Sequence, residues 1–367
     1  VLFERKGGEG MSKSPGTVLT PDILSAEDTR VMKEMDSSNI DCEAIRRFKG
    51  IHRLNLVNFD TPIEKCDRLR ASVLGCPHLY IKRDDYTGFL VGGNKLRKME
   101  YLMVDVLEKK ATTMITVGSV QSNHARVMAM VARRLGLKAV LILNGKLSKR
   151  PSGNFRISSL LGAKIHSVVT RAQRDAAMDE IAETLEKKGE RVYKVPLGAS
   201  DEIGSFGMVA AFEEIQTYAK RTGIQFDAIV VATSSGGTQA GLEVGKRLFN
   251  WNRLRIYGIS PDDPSERIKD SILATMKPML SRLGLDSRVG KNDLHVDGSF
   301  IGAGYGIPSP QSRRAAGVFL DTEGIFLDPV YTSKAAAALL EYCRKRKFSS
   351  EDRILFWHTG GLLALFK

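Results

Sequence analysis

What most constrains this chain is a series of short apolar and β-branched runs separated by stretches of helical periodicity. Thr113–Gly118 reads TMITVG, Ala139–Leu143 reads AVLIL and Ala228–Thr233 reads AIVVAT. Apolar side chains at consecutive positions face both sides of a strand, so both faces must be covered. Further strands are expected at Leu79–Lys82, Lys164–Val169, Val192–Val195, Arg255–Ser260, Ile325–Leu327 and Arg353–Phe356. Between them Ala125, Met128, Val131 and Ala132 recur at helical spacing, and helices are expected to close over Ser158–Ala163 and to span Asp175–Lys188, Phe206–Lys220 and Gln239–Leu248. Such alternation implies an α/β fold of mostly parallel sheets covered by helices, with ligands at the carboxyl ends of the strands.

The loops that leave those strands carry the unusual chemistry. Gly92-Gly93-Asn94-Lys95-Leu96-Arg97-Lys98 puts a lysine at the mouth of a helix whose apolar face is expected to run through Met99, Leu102, Met103, Val106 and Leu107. Asn94 suits an N-cap, and the helix dipole disfavours the charged form of Lys95, as Schiff-base chemistry requires. Taken alone, the same residues also describe a solvated lysine in a glycine turn. Gln121-Ser122-Asn123 follows TMITVG and either binds a carboxylate at a helix N-terminus or simply caps it. Ser234-Ser235-Gly236-Gly237-Thr238 leaves AIVVAT and reads as a phosphate cradle, without the lysine of a nucleotide-triphosphate loop. Tyr305, Tyr331 and the loop Trp357-His358-Thr359-Gly360-Gly361 complete the candidates. The glycines at 302, 304 and 306 fail as a dinucleotide fingerprint, because Ile307-Pro308 stands where a helix should open.

Bulk properties exclude other classes. A net charge of +13 raises the question of nucleic acid, yet the basic residues are scattered and 7% aromatics do not interleave with them. No apolar run approaches the roughly 20 residues of a membrane span. Cys42, Cys66, Cys76 and Cys343 form no C-x-x-C pair and read as reduced thiols, and six scattered histidines suggest no metal site. Residues 1–50, rich in Gly, Ser, Pro and charge, read as a flexible extension, and the acids Glu4, Glu9 and Asp22 argue against a transit peptide. Cytoplasm is the default expectation, with an organelle such as the mitochondrion left open.

Together, and in order along the chain, Thr61-Pro62-Ile63, Lys82-Arg83-Asp84-Asp85, Gly93-Asn94-Lys95, Gln121-Ser122-Asn123, Gly236-Gly237-Thr238, Leu327-Asp328-Pro329-Val330-Tyr331 and His358-Thr359-Gly360-Gly361 resemble the fold type II, tryptophan-synthase-β-like, pyridoxal-phosphate enzymes. Within these, the resemblance is to the branch of 1-aminocyclopropane-1-carboxylate deaminase and D-cysteine desulfhydrase. It implies two open, mostly parallel twisted sheets, a large domain of residues 51–96 and 207–367, a small domain of 97–206, and a homodimer. It also implies that Lys95 carries pyridoxal phosphate as a Schiff base, Asn123 meets the ring hydroxyl, Ser122 and Gln121 meet the substrate carboxylate, and Ser234, Ser235, Gly236, Gly237 and Thr238, supported by Lys98, hold the phosphate. Tyr331 would pack on the ring and Tyr305 would stand near the substrate.

Two positions depart from the deaminases, which have Glu directly after the stacking tyrosine and Leu between the His and Gly-Gly of the last loop. Here those positions are Thr332 and Thr359. A carboxylate keeps the pyridine nitrogen protonated and deepens the electron sink, whereas a hydroxyl only hydrogen-bonds it. Opening a cyclopropane needs the deeper sink; expelling a thiolate does not. The resemblance therefore points to D-cysteine desulfhydrase chemistry, an α,β-elimination giving pyruvate, sulfide and ammonia. The deaminase and a non-catalytic cofactor-binding protein are the alternatives.

Overall fold

The structure is a computed structural model, and it describes residues 41–57, 60–88 and 92–367. In chain order the elements are α1 (Cys42–Lys49), β1 (Ile63–Lys65), α2 (Asp67–Ser72), β2 (His78–Arg83), α3 (Asn94–Glu108), β3 (Thr113–Ser119), α4 (Asn123–Arg134), β4 (Lys138–Asn144), α5 (Gly153–Leu160) and β5 (Lys164–Val168). There follow α6 (Arg174–Glu186), β6 (Val192–Val195), α7 (Glu202–Thr222), β7 (Ala228–Ala232), α8 (Gly237–Leu248), β8 (Arg255–Ile259), α9 (Ser265–Leu283), β9 (His295–Asp297), α10 (Pro310–Glu323), α11 (Thr332–Arg344) and β10 (Arg353–His358). Two sheets result, a six-stranded one in the order β1-β2-β10-β7-β8-β9 and a four-stranded one in the order β5-β4-β3-β6. Every pairing is parallel except that of β1 with β2. The expected α/β class of two mostly parallel sheets holds.

The apolar strand runs explain why. Ile229, Val230 and Val231 of β7 are fully buried, alternately in the two clusters on opposite faces of the large sheet. Each such side chain contributes about 1.5–3 kcal/mol on burial. Helices α3 and α7 meet at a glycine: a Cβ on Gly207 would lie 2.1 Å from the Arg97 carbonyl oxygen. That close approach seats the helix carrying Lys95 against the core of the large sheet.

Three expectations need correction. Ile325–Leu327 forms no strand; its backbone is held instead by the turn of α10, with Ile325 N donating to Phe319 O, and by His358 Nε2 on Phe326 O at 2.7 Å. Helix α7 begins at Glu202 rather than near Phe206, because Asp201 caps it through Gly204 N at 2.7 Å. The N-terminal extension includes α1, whose Ala44, Ile45 and Phe48 enter the main core; residues 1–40 of that extension lie outside the described residues. All four cysteines are free, with Cys76 Sγ and Cys343 Sγ in contact at 3.3 Å. No described helix is long and apolar enough to cross a membrane.

Candidate active site

The carboxyl ends of β3, β4, β7 and β10 converge on a cavity of about 400 Å³, bounded there by Ser119, Asn144, Ala232 and Thr359. Lys95, in the first turn of α3, is the one lysine among the described residues that line it. Its Nζ lies 3.3 Å from Asn94 Oδ1, and burial lowers its pKa to about 8. Asn94 is not the N-cap expected of it. Gly93, at φ +65°, takes the cap position, and Asn94 Nδ2 donates to Thr238 Oγ1 at 2.9 Å. The amide thus ties the lysine turn to the start of α8, a use that no local pattern could show.

Opposite Lys95, the loop from Ser234 turns at Gly236, φ +83°, into α8. The first amides of a helix have no acceptor within it and present its positive end. Ser235 Oγ lies 2.7 Å from Ser200 Oγ, and Lys98 Nζ, fully buried one turn after Lys95, donates to Ser200 Oγ at 2.9 Å and to Gly198 O at 3.4 Å. A Cβ at Gly198 would lie 2.3 Å from Ser235 Oγ, so glycine keeps this cradle open. A helix N-terminus, hydroxyls and the Lys98 amine, whose charged form burial and Lys95 disfavour and an entering anion would favour, form a donor set that fits a phosphate group. Ser234, Ser235, Gly236 and Thr238 line the cavity; Gly237 stands one position inside the helix, and Lys98 stands beneath.

Ser122 caps α4, accepting from Ala125 N at 3.2 Å, and also lines the cavity, so capping and cavity exposure coexist. Asn123 Oδ1 accepts from Asn154 Nδ2 at 2.9 Å, which leaves its own amide group for the cavity. Gln121 is not among the lining residues. Its amide spans α5, accepting from Asn154 N at 2.9 Å and donating to Ser152 O at 3.2 Å. Across the cavity, Tyr305 Oη and Tyr331 Oη are 2.6 Å apart, and Tyr305 Oη is 3.4 Å from Ser119 Oγ. Burial and the neighbouring phenol push the Tyr331 hydroxyl well above its ordinary value. The loop before Tyr305 is tethered by Lys334, whose Nζ donates to the carbonyls of Pro261, Ile301 and Gly304 at 2.9, 2.7 and 2.8 Å.

The two threonines separate. Thr359 lines the cavity, whereas the fully buried Thr332 donates from Oγ1 to Asp328 Oδ1 at 2.7 Å and accepts from Asp328 N at 2.8 Å. Asp328 in turn abuts Gly361, φ +98°, where a Cβ would meet its Cγ at 2.8 Å. Thr332 therefore shapes the last loop through Asp328.

Sequence reasoning missed Ser200, Asn144, Arg171, Arg174 and Asp262, and gave no role to His124, which closes the Gln121-Ser122-Asn123-His124 loop. Asn144 carried a signal, a polar residue closing an apolar strand; the others had none. His124 Nε2 lies 2.8 Å from Thr116 Oγ1, and its Nδ1 has no hydrogen-bond partner among the described residues. Burial, with Lys95 and Lys98 nearby, pushes its pKa well below the usual histidine range.

A family model described as pyridoxal-phosphate dependent enzyme matches residues 54–360. The D-cysteine desulfhydrase of Salmonella typhi is 35% identical over 320 residues, covering 86% of this chain and 95% of that one. That of Salmonella newport is 35% identical over 319 residues with the same coverage. Among solved structures, a homologue of 1-aminocyclopropane-1-carboxylate deaminase superposes with a TM-score of 0.81 at 34% identity, over 88% of this chain and 96% of that chain. A threonine deaminase of T.th., at 18% identity and a TM-score of 0.63 over 87% of this chain and 97% of that one, shares the fold.

Proposed function

The chain belongs to the pyridoxal-phosphate-dependent enzymes, and from that premise we propose that it is a lyase eliminating the β-substituent of a D-amino acid, with D-cysteine as leading substrate and sulfide, pyruvate and ammonia as products. The observation that carries this reading is the Lys95 amine at the cavity wall, its pKa lowered to about 8, facing a donor set built for a phosphate.

When bound, pyridoxal phosphate supplies an aldehyde that captures amines and a ring that accepts the electron pair released at Cα. Lys95 Nζ would hold the cofactor and, as a free amine, would take the Cα proton; a pKa near neutrality suits both tasks. The helix α8 N-terminus, Ser235, Ser200 and Lys98 would hold the phosphate. Asn123 would meet the ring hydroxyl, and Tyr331 would pack on the ring. Ser122 and the first amides of α4 orient the substrate carboxylate; the Gln121 side chain, engaged with α5, takes no part in this. Tyr305, beside Ser119, supplies or holds a proton near the leaving group.

Thr359, where the deaminases have Leu, would offer the ring nitrogen a hydroxyl, and Thr332 leaves the position of their Glu without a carboxylate, which suits departure of a thiolate more than opening of a cyclopropane. The deaminase reading keeps support from the similarity to the deaminase homologue. A cytoplasmic homodimer, acting on a small amino acid without nucleic-acid or membrane partners, completes the proposal. The test is release of sulfide and pyruvate from D-cysteine against L-cysteine, with 2-oxobutyrate from 1-aminocyclopropane-1-carboxylate assayed alongside. Cofactor-loaded, coloured protein that releases no sulfide from D-cysteine would defeat the desulfhydrase reading; 2-oxobutyrate would replace it with the deaminase.

A further inference from the structure

The proposed elimination uses Lys95, Ser122, Asn123 and the tyrosines, yet the same cavity is lined by two arginines that this reaction leaves idle, Arg171, which is paired with Asp263, and Arg174. Arg174, the first residue of α6, lines the cavity while only 8% exposed. Its Nε donates to Arg171 O at 3.2 Å and its Nη1 reaches Asn144 Oδ1 only at 3.5 Å. Among the described residues no carboxylate lies within ion-pair distance of it. Of the nearby acids, Asp262 Oδ2 accepts from Ser234 Oγ at 2.8 Å and faces Arg171 Nη1 at 3.6 Å, Asp263 Oδ2 accepts from Arg171 Nη2 at 2.8 Å, and Asp175, next to Arg174 in the chain, is exposed to solvent and outside ion-pair distance.

A buried guanidinium without a paired carboxylate is costly to hold: burial and the neighbouring Arg171 lower its pKa from the ordinary arginine value, and the more distant Asp175 and Asp262 offset this only in part. Such a cost is relieved when an anion enters. The substrate's α-carboxylate is already provided for by Ser122 and the N-terminus of α4. Arg174 belongs instead with Asn144, at the end of β4, and with the Ser119–Tyr305 wall. We propose that Arg174 and Asn144 form a second anion subsite, and that the enzyme's substrates include amino acids whose β-substituent itself carries a negative charge. The guanidinium would pair with that charge as a forked donor while the amide oxygen of Asn144 keeps its plane fixed. The inference rests on the elimination reading for the chemistry, but the subsite exists or fails independently of turnover.

The test uses two isosteric ligands, D-aspartate and D-asparagine, which differ at the side chain by one charge and carry no readily expelled β-substituent. Calorimetric binding to the cofactor-loaded enzyme should favour D-aspartate by about tenfold or more, the worth of one charge-assisted pair. Arg174→Gln should bring the two affinities within about twofold, and Arg174→Lys should keep part of the preference. Equal binding by the wild-type enzyme overturns the subsite. So does an Arg174→Gln variant that weakens both ligands alike, since that outcome assigns Arg174 to the α-carboxylate. A separate turnover arm compares D-serine O-sulfate with β-chloro-D-alanine. Each loses its Cα proton to the enzyme and its β-substituent as sulfate or chloride with the bonding pair, and water then gives pyruvate and ammonia. Failure of both substrates counts against the elimination reading and leaves the binding result standing.

Discussion

Arg97 holds Asp84 with two parallel bonds, Nε to Oδ2 at 3.0 Å and Nη2 to Oδ1 at 2.8 Å, and neither side chain is exposed by more than 1%. Arg97 stands two residues after Lys95 on α3, and Asp84 follows β2. Asp84 Oδ2 also accepts from Trp357 Nε1 of β10 at 2.8 Å, and Glu214 of α7 bonds both Arg97 and Lys82. The helix that presents the amine is thereby locked to the large sheet.

Removing one partner of this network leaves a buried charge unpaired. Asp84→Asn is expected to cost about 3–5 kcal/mol in denaturant unfolding of the cofactor-free protein. The pH dependence follows. Burial disfavours the Asp84 carboxylate, but Arg97 and Lys82 outweigh it and hold the pKa below its usual value. A carboxyl depressed in the folded state stabilises above its unfolded pKa, so this contribution should be lost as pH falls below about 4. Asp84→Asn should flatten that acid limb.

Lys95 should capture added cofactor as its amine loses its proton. Its lowered pKa, about 8, implies a capture rate that rises with pH and levels off above that value. Stopped-flow absorbance on the apo-protein measures this, and a rise continuing towards about 10.4, the ordinary lysine value, would contradict it. Lys95→Ala should abolish both turnover and the bound cofactor's characteristic absorbance.

The phosphate end should separate affinity from chemistry. Ser200→Ala removes the hydroxyl bridging Lys98 and Ser235. Cofactor should bind about tenfold more weakly, and Lys98→Met should weaken it by about a hundredfold, as loss of a charge-assisted bond implies. Equilibrium dialysis gives both values; unchanged affinity in Lys98→Met would remove the lysine from the phosphate site.

Gly93 tests the turn itself. At φ +65°, a Cβ there would lie 2.4 Å from Thr359 O. Gly93→Ala should cost about 1–3 kcal/mol and, by shifting Lys95, lower kcat about tenfold or more. A variant with wild-type thermal stability and turnover would show that the turn tolerates a side chain.

Local order is readable where a pattern repeats along the chain. Apolar runs such as AIVVAT require strands covered on both faces, and the Lys95 and Ser234–Thr238 loops are visible because glycine and hydroxyl residues cluster between a strand and a helix. Ile325–Leu327 misleads because a short apolar run specifies burial but not a ladder partner. The opening of α7 is hidden by Gly204 and Gly207, whose value lies in contact with another helix.

The sequence by itself determined the α/β alternation, a lysine at a helix mouth and a glycine-hydroxyl loop opening a helix, since each depends on residues adjacent in the chain. Only the tertiary structure decided that Asn94 bonds Thr238, that Ser200 completes the cradle, that Gln121 turns to α5, and that Arg174 enters the cavity. Those are relations between segments up to 144 residues apart. Burial and hydrogen-bond partners are set by what packs opposite a residue, and no local pattern encodes that.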